Sequence, residues 1–548
     1  MAPDESDSYL TGWRLAVVIT SLFFGSFLLA LDTNIINVAI PQISTEFKAL
    51  DDVAWYGTAY LVTLTAFQPI YGSMYKFFST TIVYRTSILV FEVGSVLCAA
   101  AKVSPAFIAG RAIAGFGAAG LLQGALSIIS QVVPLEERPM YMGIVISVFA
   151  ITVCIGPPLG GVFTQHNSWR WCFWINLPIG ALVLLALTLF LRIKNEDNEY
   201  RSLSLKKKVA SMDPLGCLFF ISTVCCLLLA LQWGGQTKPW NSTTIIGLLV
   251  GAGVLTIVFV FTQWKLQELA LIPPRVLQQR SIWTSAAVLF FLGGACYVNS
   301  FFLPFYFQAV HGIAPVDSGV DVIPYLLPQT VAIAVVSVFV KQWGYYVPYM
   351  LAGELICILG QALLTQLTEN TPTVKWASYL VVAGIGNGMA MQLPYTAVQV
   401  VLSDKDIPTG NAIAVLSFQL GGAIAISMGQ TISITTILDL LPQRLPQLST
   451  QATLKAGAAG LQLLASTPQE LITLRQIWNE AIKRIMLLAV FLVGASVPFT
   501  LGMEWLNAKK VAAKKNNGED RDNNVKGSVE KESKTDVDVL AKGQTLTV

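Results

Sequence analysis

The chain has 548 residues, 54% of them hydrophobic and only 12% charged, with a formal net charge of +3 and a mean hydropathy of +0.62. A soluble domain carries about 25% charged residues, so this composition excludes an ordinary water-soluble protein, and the small net charge excludes nucleic acid as a partner. Eight cysteines without a CxxC pair and two histidines exclude a metal cluster and a disulfide framework, and no cofactor or metal is expected.

A helix needs roughly 20 apolar residues to cross a bilayer, and about fourteen runs of that kind follow one another here. In chain order the expected spans are 15–40, 53–74, 82–101, 105–130, 141–163, 172–191, 214–233, 243–264, 283–307, 318–340, 347–367, 376–402, 409–436 and 485–503. The N-terminus (Asp4, Glu5, Asp7) lacks a basic region and a cleavage site, so the first span is expected to stay as a signal anchor. The fold class is therefore an all-α polytopic membrane protein.

Cytoplasmic loops are enriched in Lys and Arg. Lys76 and Arg85, the group Arg192, Lys194, Arg201 and Lys206 to Lys208, then Lys265, Arg275, Arg280, Lys341, Lys405 and the tail cluster from Lys509 to Lys515 all fall on one side. Both termini are expected inside, with 1–12 as a short cytoplasmic start. Segment 437–484 is expected outside, although it carries Arg444, Lys455, Arg475, Lys483 and Arg484. Its middle, 454–464, is expected on the membrane surface. The tail 506–548 is polar, of mixed charge and without apolar periodicity, and reads as disordered. Asn241-Ser242-Thr243 is a glycosylation sequon beside an expected outer loop.

Within the spans, Gly156-Pro157-Pro158-Leu159-Gly160-Gly161 stands out. Gly156 and Gly160 form a small-xxx-small face that lets another helix approach closely, and prolines bend the helix by removing donors. Ionisable groups inside a span are costly and mark function. Arg111 lies about seven residues, roughly 10 Å, into the fourth span from its outer end, and Asp32 lies at a similar depth in the first. Equal depth allows them to pair, which keeps the carboxylate ionised until conformational change loads a proton. Glu92, near the middle of the third span, is a second proton-coupling candidate. Glu354 is a weaker one. No Walker loop and no nucleophile–base constellation is present, which argues against ATP drive and against an enzyme.

The stretches LDTNIINVAIP at 31–41, WYGTAYL at 55–61, GRAIAGFGAAG at 110–120, GPPLGG at 156–161 and WRWCFWINLPIG at 169–180 occur in that order. Together they resemble the major facilitator superfamily, and within it the fourteen-span drug:proton antiporters of the fungal toxin-efflux branch. The resemblance implies a major facilitator fold: six-helix bundles at 13–191 and 282–505, a basic loop at 192–212, and two additional spans at 213–264. It implies that Gly156, Pro157, Gly160 and Gly161 are the antiporter motif and links Arg111 to proton coupling. One departure concerns the loop between spans 2 and 3, where the family's acidic residue is missing. Gly72 and Lys76 are what remains, so the family's charged latch loses its acid here.

A cavity for large apolar solutes is expected to be lined by aromatic and amide side chains. The candidates are Gln68, Tyr71 and Gln123 in the first half, and Asn299, Phe302, Tyr306, Asn387, Gln392 and Gln419 in the second. The expected activity is proton-driven export of amphipathic small molecules, by a monomer in the plasma membrane or the vacuolar membrane. The alternative is an importer or vacuolar permease for a defined solute, such as a basic amino acid or iron chelate.

Overall fold

A computed structural model describes residues 10–49, 52–164, 168–191, 204–235, 238–313, 315–449, 453 and 461–514. The apolar runs fold into helices because a backbone in lipid must satisfy its own hydrogen bonds. In the first third of the chain these are α1 (Gly12–Phe47), α2 (Val53–Ala66), α3 (Gln68–Phe77), α4 (Thr80–Ala100), α5 (Ser104–Val132), α6 (Arg138–Val162), α7 (Trp171–Trp174) and α8 (Asn176–Phe190). The middle holds α9 (Leu205–Ser211), α10 (Pro214–Trp233), α11 (Thr243–Leu266) and α12 (Pro274–Leu277). The last part holds α13 (Arg280–Tyr306), α14 (Pro315–Val320), α15 (Ile323–Trp343), α16 (Val347–Leu364), α17 (Thr373–Met391), α18 (Leu393–Val401), α19 (Ile407–Arg444), α20 (Leu461–Leu464) and α21 (Pro468–Leu501).

Among the described residues, eleven helices are long and apolar enough to cross a membrane. Three expected spans are built differently. Run 53–74 is two helices, α2 and α3, that meet at Phe67 with Pro69 in the first turn of α3. Run 376–402 is α17 and α18, which meet at Gln392 with Pro394 just beyond. Proline supplies no N–H to the preceding turn, so each helix restarts there. Run 141–163 is α6, which begins earlier, at Arg138, and ends at Val162.

Two boundaries move. Helices α19 and α21 extend well past the expected spans, so the expected 437–484 loop shrinks to 445–467. Arg475, Lys483 and Arg484 accordingly sit within the first half of α21 rather than in a loop. Much of 454–464 lies outside the described residues. The reading of 506–548 as disordered is corrected at its start, where residues 508–514 are helical. Asn507 donates to the Trp343 carbonyl at 2.9 Å, and Ala508 and Ala512 are buried in the second-half core. Two small alanines one turn apart give this short helix an apolar face that a scan for long apolar runs overlooks. The remaining tail, 515–548, lies outside the described residues.

Helix α4 packs on α5 and α16 on α17. At Gly110 a Cβ would stand 2.8 Å from Cys98 Sγ, and at Gly353 it would stand 2.6 Å from Met389 Cβ, so these pairs approach at glycine distance. Helix α6 lies between α1 of the first half and α15 of the second. Helix α10 spans the seam between α2 and α19. Phe220, Val224 and Leu228 pack with Val62, Ala66 and Leu416 there. Trp233 stacks edge-on against Trp55 at 5.6 Å, and Ser427 donates to the Leu231 carbonyl at 3.0 Å. Helix α11 packs on α10 and otherwise carries exposed apolar side chains such as Ile257, as a helix facing lipid does. The base of this hairpin is fixed by Asp213, a buried carboxylate at φ +52°. It accepts from Gly216 N at 2.8 Å, Gln263 Nε2 at 2.6 Å and Leu271 N at 3.3 Å.

Candidate functional site

Asp32 on α1 and Arg111 on α5 are both buried and in contact, with Arg111 Nη1 2.5 Å from Asp32 Oδ2. Arg111 Nε also donates to the Tyr56 carbonyl at 2.9 Å, and its guanidinium lies 4.3 Å from the centre of the Tyr60 ring. Tyr60 is held in turn by its hydroxyl on the Leu29 carbonyl at 3.2 Å. The fork of donors is thus divided among a carboxylate, a carbonyl and an aromatic face, while Asp32 Oδ1 has no partner.

Glu92 is half-buried on α4, and neither of its carboxylate oxygens has a hydrogen-bond partner. It faces α8 at Gly180, where any Cβ would collide with Glu92 Oε1. Glu354 is fully buried on α16, and its Oε1 accepts from Ser496 and Thr500 of α21, each at 2.7 Å.

The cavity candidates separate into groups. Gln68, Tyr71 and Gln123 are buried together with the first-half core. Gln123 Nε2 donates across the seam to the Pro408 carbonyl at 3.2 Å. Asn299 and Asn387 meet at Tyr325, whose hydroxyl lies 3.2 Å and 3.0 Å from their side-chain nitrogens. Phe302 is buried against Gly429 of α19. Gln419 Oε1 accepts from the Tyr297 hydroxyl at 2.5 Å. Tyr306 stands apart: its hydroxyl donates to the Thr368 carbonyl at 3.0 Å and touches His311 Nε2 at 3.0 Å, ties that belong to the end of a helix. Gln392 is likewise committed, accepting from Ser337 at 2.9 Å and donating to the Pro139 carbonyl at 2.6 Å. Asn241 is exposed just ahead of α11.

The family model described as "Major Facilitator Superfamily" matches residues 22–426. The chain belongs to the Major Facilitator Superfamily. It is a multi-pass membrane transporter, not an enzyme. It is 39% identical over 505 residues to "MFS-type efflux pump MFS1" of Arthroderma benhamiae, covering 92% of this chain and 94% of that one. It is 40% identical over 500 residues to the "Aspyridones efflux protein" of Neocamarosporium betae (91% and 88%). It is 36% identical over 507 residues to "Efflux pump aflT" of Aspergillus parasiticus (92% and 98%). Among solved structures, the human organic anion transporter MFSD10 aligns with TM-score 0.56 at 14% identity, covering 87% of this chain and 99% of that one. A bacterial homolog of the human lysosomal transporter Spinster aligns with TM-score 0.54 at 14% identity, covering 90% and 98%. These two likenesses establish the fold alone.

The glycine-proline segment of this superfamily member lies on α6. Glycines 156 and 160 face α1, where a Cβ would stand 2.8 Å from Asn34 Cβ and 2.7 Å from the Ile35 carbonyl. The close seam is therefore within the first half, next to Asp32. Gly161 is buried beside it, and the side chain of Pro157 is outside the described residues. The second half meets α6 along its length: a Cβ at Gly143 would stand 2.8 Å from Ser337 Oγ of α15, and one at Gly319 of α14 3.9 Å from Pro158 Cδ.

Sequence reasoning missed the polar contacts that join the two halves at the lysine-rich end. Lys76 Nζ lies 3.8 Å from Asp406 Oδ1, and Arg275 Nη2 lies 2.9 Å from Asp406 Oδ2. Burial draws the Lys76 amine below its usual range against the pull of Asp406. Lys341 Nζ lies 2.6 Å from Glu137 Oε1. The loop between spans 2 and 3 thus keeps a charged contact with the opposite half, with its basic residue in place of the missing acid. A repeated acid-x-Pro at 137–139 and 406–408 is the signal that marks these acids.

Proposed function

We propose that this transporter exports amphipathic small molecules, such as secondary metabolites or xenobiotics, in exchange for protons by alternating access. The observation that carries the reading is the buried Asp32–Arg111 pair with its free carboxylate oxygen, set beside the glycine face of α6. Protonating Asp32 would remove the charge that holds Arg111, so the proton and the geometry of the α1–α5 contact become one equilibrium. The relatives that match over most of the chain are described as efflux pumps, which supports outward transport. In this reading the lysine-rich end is cytoplasmic, both termini are inside and Asn241 is outside. Fourteen spans then comprise two six-helix bundles and the additional α10–α11 hairpin, working as a monomer in the plasma membrane.

The test is transport in proteoliposomes holding purified protein and a fluorescent amphipathic dye. An imposed pH gradient should drive dye movement without ATP, and collapsing the gradient should stop it. Undiminished ATP-driven movement after the gradient is collapsed overturns the coupling. A reporter on the tail that scores as extracellular overturns the orientation.

A further inference from the structure

The geometry points to a hydrogen-bonding subsite, formed by Asn299, Tyr325, Asn387 and Gln329, that takes one uncharged hydroxyl or phenol of the cargo. It rests on the export reading and adds a substrate class: a neutral, hydroxylated, largely apolar solute rather than an ammonium or a carboxylate.

Three helices converge here. Asn299 comes from α13, Tyr325 and Gln329 from successive turns of α15, and Asn387 from α17. Each is at least 97% buried, at 1%, 0%, 3% and 1% exposure in the order Asn299, Tyr325, Gln329, Asn387. The Tyr325 hydroxyl serves both asparagine nitrogens. The Oδ1 atoms of Asn299 and Asn387 and the Oε1 of Gln329 have no hydrogen-bond partner. Gln329 Nε2 makes only a 3.6 Å contact with Met391 Sδ.

A carboxamide offers two donors and two lone pairs, whereas a phenol offers one donor and two lone pairs. One tyrosine hydroxyl therefore leaves two asparagines with spare capacity, whichever way the amides are turned. Buried polar atoms nearly always find partners, so amides with unspent capacity are a place prepared for a hydroxyl, which can both donate and accept.

Charge decides which donor. Helices α13, α15 and α17 carry Arg280, Lys341 and Lys375 at their ends and no Asp, Glu, Lys, Arg or His between, and the thiol of Cys296 lies beside Asn387. Glu354, on α16, is directed to Ser496 and Thr500 of α21. An ammonium or carboxylate group entering the cluster would meet no counter-charge, and an isolated buried ion is costly. A hydroxyl meets acceptors and carries no such cost. The site is also held in shape. A Cβ at Gly384 would collide with the Tyr325 carbonyl, and one at Gly388 with the Gln329 carbonyl, so α15 and α17 touch backbone to backbone on both sides of Asn387.

The test uses four probes on one apolar skeleton: 1-hydroxypyrene, 1-methoxypyrene, 1-pyrenecarboxylate and 1-pyrenemethylamine. Binding to purified, detergent-solubilised protein is read by quenching of tryptophan fluorescence. The hydroxyl probe should bind about tenfold tighter than the methyl ether, the worth of one well-made buried hydrogen bond, and both ions should bind more weakly than the ether. Asn387→Leu should bring the hydroxyl-to-ether ratio close to one, whatever it does to the affinity of either probe alone. Tyr325→Phe, which keeps the ring, should reduce the ratio as well, and because the readout is a ratio within one variant it is independent of yield. If hydroxyl and ether probes bind alike in the unaltered protein, or the ratio survives both substitutions, the cluster is only a tie between helices and the proposal fails. If none of the four probes binds, the export reading falls and the subsite with it.

Discussion

Gln123 and Gln392 make the same bond from opposite halves of the molecule. Gln123 Nε2 donates to the carbonyl oxygen of Pro408 at 3.2 Å, and Gln392 Nε2 to that of Pro139 at 2.6 Å. Each proline lies two residues after an acid that pairs with a lysine of the other half, Asp406 with Lys76 and Glu137 with Lys341. The lysine-rich end is therefore joined by two matching clasps, each a glutamine on a proline carbonyl beside a lysine on an acid. In the alternating-access reading proposed above, both clasps would have to open for cargo to pass this end.

The clasps differ in burial, and this sets an expected order of effects. Lys76 and Asp406 are 8% and 5% exposed, whereas Lys341 and Glu137 are 39% and 34% exposed. Breaking a buried pair costs about 3–5 kcal/mol, and an exposed one about 0–1 kcal/mol. Lys76→Glu should abolish transport and lower the melting temperature, while Lys341→Ala should change both only slightly. Lys76→Glu combined with Asp406→Asn should recover part of the loss, because the facing acid is gone and Arg275, which pairs with Asp406 in the unaltered chain, is left for the new carboxylate. No recovery in that double variant, measured by dye transport, would remove the pairing from the mechanism.

A second contact should respond to acid. Trp169 Nε1 donates to Glu46 Oε2 at 2.6 Å, and Arg170 Nη2 lies 2.9 Å from Glu46 Oε1, which pins the start of α7 to the end of α1. The hydrogen bond from Arg170 is the main cause that holds the Glu46 carboxyl below its usual range. A lowered carboxyl value stabilises the fold above the ordinary carboxylate pKa, and the stabilisation is lost as pH falls through the lowered value. Thermal stability should therefore decline more steeply on acidification in the unaltered chain than in Glu46→Gln. Identical pH profiles would show that the contact contributes nothing.

The pairing of Asp32 with Arg111 was legible in the sequence because equal depth in two adjacent spans leaves few other partners in lipid. The close approach at Gly156 and Gly160 was legible because a missing Cβ has one structural use at that spacing, although the sequence did not say that α1 would fill it. Lys76 looks like the remnant of a lost latch, since its partner lies over 300 residues away and only the short acid-x-Pro repeat marks Asp406. Tyr325 and Gln329, one turn apart in an apolar span, were passed over beside more conspicuous amides. Tyr306 and Gln392 looked like cavity residues because residue type does not reveal whether a hydroxyl or amide is already spent on a backbone carbonyl.

Glu92 and Gly180 form a steric pair. Gly180→Leu should displace the Glu92 carboxylate and separate α4 from α8, with a large loss of folded protein. Glu92→Ala in the same chain should restore much of the yield by making room. If the two losses simply add, measured as monodisperse yield, the residues do not meet. Glu92→Gln keeps the shape and removes the titration, so a change in the pH dependence of transport at normal yield would assign Glu92 to coupling.

Gly156→Leu should abolish transport in protein that still reaches the membrane, because the added side chain must displace Asn34 and Ile35 of α1. Gly156→Ala is the graded control, since its Cβ stands 2.8 Å from Asn34 Cβ and requires only a small shift. Normal flux in the leucine variant would show that the glycine face is ordinary packing.

The last prediction concerns Asp32 and Arg111. Asp32→Asn leaves Arg111 buried on the Tyr56 carbonyl and the Tyr60 ring without its counter-ion, at a cost of about 3–5 kcal/mol. Folding yield and proton coupling should both suffer. Arg111→Ala also ends coupling, but the lone Asp32 can take a proton and become neutral, so yield should fall less. Arg111→Lys keeps the charge and loses the fork that reaches Asp32 and Tyr56 together, so partial coupling is expected. Asp32→Asn with Arg111→Gln should restore yield relative to Asp32→Asn alone, because no buried charge is left uncompensated, yet it should not restore pH-driven transport. Packing alone would return activity along with yield, so the split between the two readouts separates structure from coupling. If the single effects on stability add without interaction, the contact carries no energy. The proton would then have to be carried elsewhere, and Glu92, with both carboxylate oxygens free, is the group to test next.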